Sequence, residues 1–500
     1  MKHLTRGLTA ALLAALLSWG APSARAVEPI KIGFSMELTG PFAVVGKTGL
    51  LAFKIWEEEV NAEGGLLGRP VKLVYYDDQS NPSLVPGIYT KLIDIDKVDL
   101  LISSYGTNLV VPAIPVAISR NRLFFGLFAL AANDKFHYPK YFSMLPFGPE
   151  PVKTFAQGWF DLAAAQNPKP KTVAIVATDA EFQHKAAESA RQHAKAKGIG
   201  IVYDRAYPPT TVDFSPIVRA VQATQPELVY IASYPSDTVG FLRSVGEIGL
   251  TTKMLGGGLA GLQAAAIKMQ LGEIANGVVN VDLWEPVPTM LFPGVMGFIK
   301  KYQAKAPAEG VDLLGYFLPP FAYSELQILG DAIAATNSLD EDKLVRYMHS
   351  HSFHTIMGDI AFGPDGEWTE ARPIWAQYHD IKGHDVEQFR EPRTVTILAP
   401  PQYKTGDMVY PYIERGDSGG RCRRSPGHCG AGAGRFEVIR TKGSHYFLRH
   451  GSYRAGKRSC RLIGRSLYSA EIKVCHCEER SDEAISIRVT GPRINRAIRD

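Results

Sequence analysis

The order of segments along residues 27–414 predicts an α/β protein made of two doubly wound parallel-sheet lobes. Three observations lead there. Short runs such as VAIVA (Val173–Ala177) and LVYIA (Leu228–Ala232) are apolar throughout, as strands covered by helices on both faces must be. Each is followed by a segment of helical length with mixed polarity. The strand–helix rhythm also runs twice, once from Ile30 and again from Thr172, which argues for two α/β lobes in succession.

Taken in order, Ile30–Met36 reads as a strand, and Lys47–Ala62 as an amphipathic helix closed by Gly64-Gly65. Val71–Tyr76 is a strand ending in Asp77-Asp78, with a helix from about Leu84. Leu100–Ser104 and Leu123–Leu127 are strands on either side of a helix over Asn108–Ser119. The second series has strands at Thr172–Ala177, Gly200–Tyr203 and Leu228–Tyr234, with helices at Glu181–Lys197 and Pro216–Ala223. Ligands of open parallel sheets sit at the carboxyl ends of the strands. Here those ends are Glu37–Gly40, Asp77-Asp78, Ser104–Thr107, Thr178-Asp179, Tyr234 and Gly256–Gly258.

The two ends of the chain differ from this body. Lys2 and Arg6, the apolar run Leu8–Leu17 and Ala24-Arg25-Ala26 form a signal-peptide pattern over residues 1–26, with cleavage expected before Val27. The run is too short to span a bilayer, and no later stretch is longer, so a soluble protein in the periplasm is expected. All five cysteines (Cys422, Cys429, Cys460, Cys475, Cys477) fall in the last part of the chain. So do 19 of the 55 Lys and Arg residues but only 8 of the 50 Asp and Glu. Without that part the acids outnumber the bases, so the overall positive charge is no argument for nucleic acid. Residues 415–500 show no helical or strand period and read as a tail foreign to the body, disordered or derived from a frameshift. Its Arg415-Gly416-Asp417 and Cys475-His476-Cys477 are weak signals for adhesion or metal.

Along the body, four stretches carry a resemblance: IKIGFSMELTGPFAVVG, WEEEVNAEGGLLGRPVKLVYYDD, FSPIVRAVQATQPELVYIASY and TIMGDIAFGPDGEW. They resemble, in order, the leucine/isoleucine/valine-binding family of periplasmic receptors for ABC importers. The resemblance implies a type I periplasmic binding protein fold, whose lobes are joined by three crossover strands near Met144–Phe147, Val281–Leu283 and Met357–Ala361. The lobes would then comprise 27–146 with 283–357, and 147–282 with 358–414. It implies a monomeric, non-enzymatic receptor that closes on a small molecule about a hinge and delivers it to a membrane permease. No cofactor is implied.

The resemblance also places a site. A polar turn, Tyr105-Gly106-Thr107-Asn108, would grip a ligand carboxylate at a helix N-terminus, with Thr107 as hydroxyl donor. Phe128-Ala129-Leu130 matches the turn that offers a carbonyl and a hydroxyl to an ammonium, and here the hydroxyl is absent. Phe182 and Tyr234 match the aromatic residues of the second lobe, and Val45 stands where the family has a tyrosine. The family's acid would come from the Leu255–Leu259 segment beside Gly257, but its place is taken by Gly258. Ser80 and Gly106 stand at the two positions of a disulfide found in some members. An unpaired buried ammonium is costly, so an aromatic or aliphatic acid is expected rather than an α-amino acid, unless Asp179, Glu181 or Asp237 supplies the missing charge. A branched-chain amino acid receptor, or a sensor of the same fold, is the alternative.

Other motifs have plainer readings. Gly256-Gly257-Gly258-Leu259-Ala260-Gly261 with Asp282 downstream satisfies a dinucleotide fingerprint, but it lies late in its α/β series, where glycines more simply admit a close neighbour. His349, His351 and His354 have a spacing that invites zinc, yet they end a helix over Asp340–Met348, where cationic side chains are ordinary. Asp77 and Asp78 are adjacent in a strand and point to opposite faces. No nucleophile-elbow or zinc-protease motif is present.

Overall fold

The computed structural model describes residues 27–411 and, beyond them, only five short strands. These fall into two compact units divided between Gly419 and Gly420. The expected leader at residues 1–26, the Arg415-Gly416-Asp417 tripeptide and the Cys475-His476-Cys477 cluster lie outside the described residues.

The first unit opens with β1 (Ile30–Met36), α1 (Ala43–Ala62), β2 (Val71–Asp77), α2 (Val85–Asp94), β3 (Leu100–Leu101), α3 (Thr107–Ser119), β4 (Phe124–Gly126) and β5 (Tyr141–Ser143). Next come α4 (Pro151–Phe155), α5 (Gln157–Ala164), β6 (Thr172–Thr178), α6 (Glu181–Ala196) and β7 (Gly200–Tyr207). They are followed by α7 (Ser215–Ala223), β8 (Leu228–Ser233), α8 (Pro235–Ile248), β9 (Met254–Leu259), α9 (Ala265–Leu271) and β10 (Val279–Asp282). The chain then supplies α10 (Val295–Glu309), α11 (Pro319–Thr336) and α12 (Glu341–Ser350). A hairpin of β11 (Ser352–Thr355) and β12 (Gly358–Ala361) precedes β13 (Ile374–Tyr378) and β14 (Val395–Ala399).

The first sheet has the order β2-β1-β3, all parallel. A parallel pair β4-β5 continues it through one bridge between Tyr105 and Leu127. The second sheet runs β14-β13-β10-β9-β8-β6-β7, parallel from β10 to β7 and antiparallel at β13 and β14. Both lobes are therefore doubly wound in the same strand order. Central strands β1, β6, β8 and β9 are almost wholly buried, whereas β7, at the edge, is mostly exposed.

Local chemistry sets the joins. Asn61 at the end of α1 both donates to the Val71 carbonyl (2.9 Å) and accepts its N–H (2.7 Å), satisfying the start of β2. Between β3 and β4 the ladder is thin, and the Leu127 N–H donates instead to Ser103 Oγ (2.8 Å). α10 and α11 pack on α1, so the late helices complete the first lobe. One apolar cluster runs through both lobes, and a smaller one fills the α2–α3 face of the first sheet.

The third passage departs from expectation. Met357–Ala361 does not cross: β12 pairs with β11, from Ser352–Ala361 to Thr355–Gly358, beside α11 and α12. The Gly366 carbonyl accepts the Ser143 N–H (2.8 Å), and the Trp368 indole donates to the Ser143 carbonyl (2.8 Å). Arg372 N–H reaches the Pro146 carbonyl (2.8 Å), and the second sheet is joined at Ile374. An alternating segment reads equally well as a hairpin arm or a crossing strand, and only its partner decides.

Within the tail, five short strands are described. Phe436–Arg440, Tyr446–His450 and Cys460–Arg461 form an antiparallel sheet, and Ala470–Lys473 pairs with Arg488–Gly491. Strands of two to five residues are too short for a period to register. Because β14 already closes the second sheet of the body, a chain ending at Glu414 is expected to melt at or above the temperature of the full-length protein. A truncated body that precipitates, or melts well below it, would count against this.

Candidate functional site

The carboxyl ends of β1, β3 and β4 face those of β6 and β8 across the cleft between the lobes. Asn108, in the first turn of α3, accepts the N–H of Phe182 at the start of α6 (Oδ1, 3.1 Å). Lys135 pairs with Glu181 (3.0 Å) and Lys185 with Asp134 (3.6 Å) across the same gap. Exposed pairs of this kind add little stability, but they show the lobes drawn together.

Aromatic rings fill the space between them. Tyr105 lies 6.2 Å from Tyr234, 6.3 Å from Phe128 and 6.1 Å from Phe317, centroid to centroid. Phe128 meets Phe317 (5.3 Å) and Phe321 (4.9 Å) edge-on. On the far side, Tyr234 touches Phe42 (4.5 Å) and Phe182 (5.2 Å), and Phe182 touches Phe155 (5.5 Å). Pairs in such geometries add about 0.5–1.5 kcal/mol beyond burial. The Phe128 backbone is left-handed (φ 53°), a conformation a bulky residue adopts only when its surroundings impose it.

At the centre of this box α3 begins. Gly106, its N-cap, has φ 92° and no side chain caps the helix. A Cβ at Gly106 would lie 3.0 Å from Tyr234 Oη. That hydroxyl faces the N–H groups of Asn108 and Thr107; burial raises its pKa and those groups oppose the rise. It is buried without a hydrogen-bond partner, occupying the place where an anion would meet the positive end of the helix dipole. Thr107 is fully buried, and its Oγ1 accepts the Leu130 N–H (2.9 Å). The bond clamps the two first-lobe turns together and leaves the Thr107 hydroxyl proton free to donate.

The acids at these strand ends separate sharply. Asp77 is half-exposed, and hydrogen bonds from Thr39 Oγ1 (2.7 Å), Leu38 N–H (3.0 Å) and Thr39 N–H (3.2 Å) bind its carboxylate. Slight burial acts the other way, but these bonds together bring its pKa below the usual range. Asp78, on the opposite face, is buried and accepts from Ser35 Oγ (2.9 Å); burial lifts its pKa to about 6. Glu37 is also buried, neither carboxyl oxygen has a well-aligned hydrogen-bond partner, and burial raises its pKa well above normal.

Several expected residues stand elsewhere. Gly257 (φ 106°) lies inside β9, and a Cβ there would meet the Tyr230 ring at 2.3 Å, so it admits packing rather than a ligand. Gly258 has Phe155 Cε1 at 3.3 Å and Tyr230 Oη at 3.2 Å from the place of a Cβ, one layer behind Phe182. Val45 is buried within α1 rather than in a loop, and Phe42, at that helix's N-cap, provides the ring against Tyr234. The Ala129 side chain faces the α2–α3 core, away from Phe128 and Leu130. Asp179 is exposed beside His184 (2.7 Å), Glu181 is held by Lys135, and Asp237 accepts from Thr178 Oγ1 (2.7 Å); none replaces the missing acid. The resemblance missed Phe42, Phe155, Phe317, Phe321 and Glu37, although Glu37 had stood among the strand ends.

The glycine fingerprint fails for the same reason: Gly256 and Gly257 are strand residues, and Asp282 accepts from Tyr378 Oη (3.0 Å) in a buried cluster with Lys268 and Glu285. His349 faces two backbone carbonyls, His351 stacks on Tyr347 (3.9 Å), and His354 pairs with Asp359 (2.6 Å). Among the described residues no group of three His, Cys, Asp or Glu could hold a metal, and no helix is long and apolar enough to cross a membrane. A groove of about 600 Å³ opens at the cleft's flank, between Ala43, Val44 and Lys47 of α1 and Ala266, Met269 and Gln270 of α9. None of the expected site residues lines it.

Two doubly wound lobes, joined by three passages with an aromatic cleft between them, are the architecture of a two-lobed solute-binding protein. The chain belongs to the periplasmic binding protein family, whose model matches residues 29–375. This is a family of substrate-binding proteins rather than enzymes. Among curated relatives, a Leu/Ile/Val-binding protein homolog 8 of Brucella suis is 27% identical over 397 residues, covering 76% of this chain and 95% of the relative. A leucine-binding protein LivK of Thermotoga maritima has a similar fold (TM-score 0.62, 18% identity, 74% of this chain and 98% of that one). So does a solute-binding protein of R. palustris in complex with 4-hydroxybenzoate (TM-score 0.60, 19% identity, 71% and 95%).

Proposed function

We propose that this protein is the periplasmic receptor of an ABC importer and carries a small carboxylic acid with an aromatic or branched apolar body to its membrane permease. The observation that carries the ligand class is the uncapped N-terminus of α3, set among the rings of Tyr105, Phe128, Phe182 and Tyr234. The free N–H groups suit a carboxylate, and the rings suit its apolar body. Binding requires the lobes, 27–146 with 283 to about 370 and the remainder of the body, to part and close again about the three passages. The relative bound to 4-hydroxybenzoate supports an aromatic acid. The leucine-binding one keeps a branched-chain amino acid as a second reading.

A thermal-shift panel tests this. A ligand at ~100 times its dissociation constant stabilises by about 2.7 kcal/mol, a shift of several degrees for a body of this size. Benzoates, phenylpropanoates or branched aliphatic acids are expected to produce it, and the amides of any hit to lose it. Equal shifts from acid and amide would contradict a helix-terminus grip.

A further inference from the structure

We propose that Glu37 is the acid of this site and selects ligands that carry a hydrogen-bond donor, an ammonium or a hydroxyl, besides their carboxylate. The proposal deepens the carboxylate reading above and rests on it.

Glu37 follows β1 directly and is 0% exposed, and neither carboxyl oxygen has a well-aligned hydrogen-bond partner; the backbone N–H groups of Tyr105 and of Glu37 itself face it and offset only part of the cost of burial. Its side chain lies on Gly46 in the first turns of α1, where a Cβ would fall 2.3 Å from its Cγ and 2.4 Å from Oε1. Any larger residue at that position would evict the carboxyl. The titratable groups that bear on it are Asp78 and Asp77 at the end of β2, Tyr105 after β3 and Tyr234 from the second lobe. None is a cation.

A buried polar group without a partner is rare and points to a role beyond packing. Serine, glutamine or arginine would serve if the missing partner were an acceptor. A carboxyl among other acids calls for a donor, and a cationic donor gains most from the field of Asp77 and Asp78. Tyr105, whose pKa burial and the charges of Tyr234 and Glu37 raise, is the first residue of the turn that grips the carboxylate. Glu37 thus places a donor-binding point beside that grip. It supplies from the first lobe the charge that the resemblance would put at Gly258 of the second.

Calorimetry on matched acids decides the matter: leucine against 4-methylpentanoate, phenylalanine against 3-phenylpropanoate, and 2-hydroxy-2-phenylacetate against phenylacetate. For one pair, the donor-bearing acid is expected to bind wild type at least about tenfold more tightly, as a bond to a charged group commonly provides. Glu37→Met should erase that gap. Glu37→Gln separates the two sources: its amide oxygen still accepts from a hydroxyl, so the preference survives in part, whereas an ammonium preference is lost. Without ligand both variants should melt at or above wild type, since an unpartnered acid has been removed; a lower melt would mark Glu37 as structural and overturn the proposal. So would equal binding within every pair that binds, or a preference that survives Glu37→Met, and in those cases the carboxylate reading stands. If no member of any pair binds, the carboxylate reading falls first and takes this proposal with it.

Discussion

Raising the pH from about 5 to about 9 should lower the melting temperature of the ligand-free protein by several degrees. Burial raises the pKa of Glu37 and Glu325, lifts Asp78 to about 6, and lifts Glu367 to about 8. In each case the folded state holds its proton more tightly than the unfolded chain. The stability this gives is fully present below the unfolded value, near 4, and is lost as the pH rises through the folded values. For Asp78 and Glu367 the window therefore runs from about pH 4 to about pH 8. A tenfold difference in proton affinity between the folded and unfolded states is worth about 1.4 kcal/mol, so Asp78 and Glu367 together amount to roughly 5 kcal/mol or more. At about 2 cal/mol/K per residue this corresponds to some 5–8 °C. Glu367→Gln should flatten the upper part of the profile and raise the melt at pH 8. A melting temperature independent of pH between 5 and 9 would mean that these carboxyls find partners.

Gly106→Ala should abolish ligand binding while leaving the fold intact. Gly106 holds φ 92° at the start of α3, a conformation that costs alanine about 1 kcal/mol or more. Its new methyl would stand 3.0 Å from Tyr234 Oη, in the gap where the second lobe closes on the helix terminus. Closure and the carboxylate grip are lost together, and the dissociation constant for the best acid of the panel should rise at least about 100-fold, or 2.7 kcal/mol. The melt of the empty protein should fall by only a few degrees. Binding at wild-type affinity would show that the α3 terminus is not the ligand's anchor.

Much of this architecture is legible in the chain itself. Strands β1, β6 and β8 lie within a residue or two of their apolar runs, because a strand covered on both faces cannot hide a polar residue. Helix α1 begins at Ala43, four residues before the expected Lys47, since Gly40-Pro41-Phe42 opens the helix without a polar cap that sequence could signal. The turn at Tyr105–Asn108 and the rings of Phe182 and Tyr234 were open to reading by resemblance, as they follow strands that are themselves plain.

What only the tertiary structure decided is which groups meet. Phe42, Phe317 and Phe321 look like ordinary core residues in sequence, and they become walls of the cleft because α1 and α11 pack side by side. Gly257 looks like a ligand contact, and the ring of Tyr230 takes its space. Glu37 reads only as one of several strand ends facing the cleft, and the packing of α1 at Gly46 and of Tyr105 around it leaves it buried without a well-aligned partner. Periodicity reports how one segment faces a core. Burial between two lobes depends on residues far apart in the chain, and no local pattern carries that information.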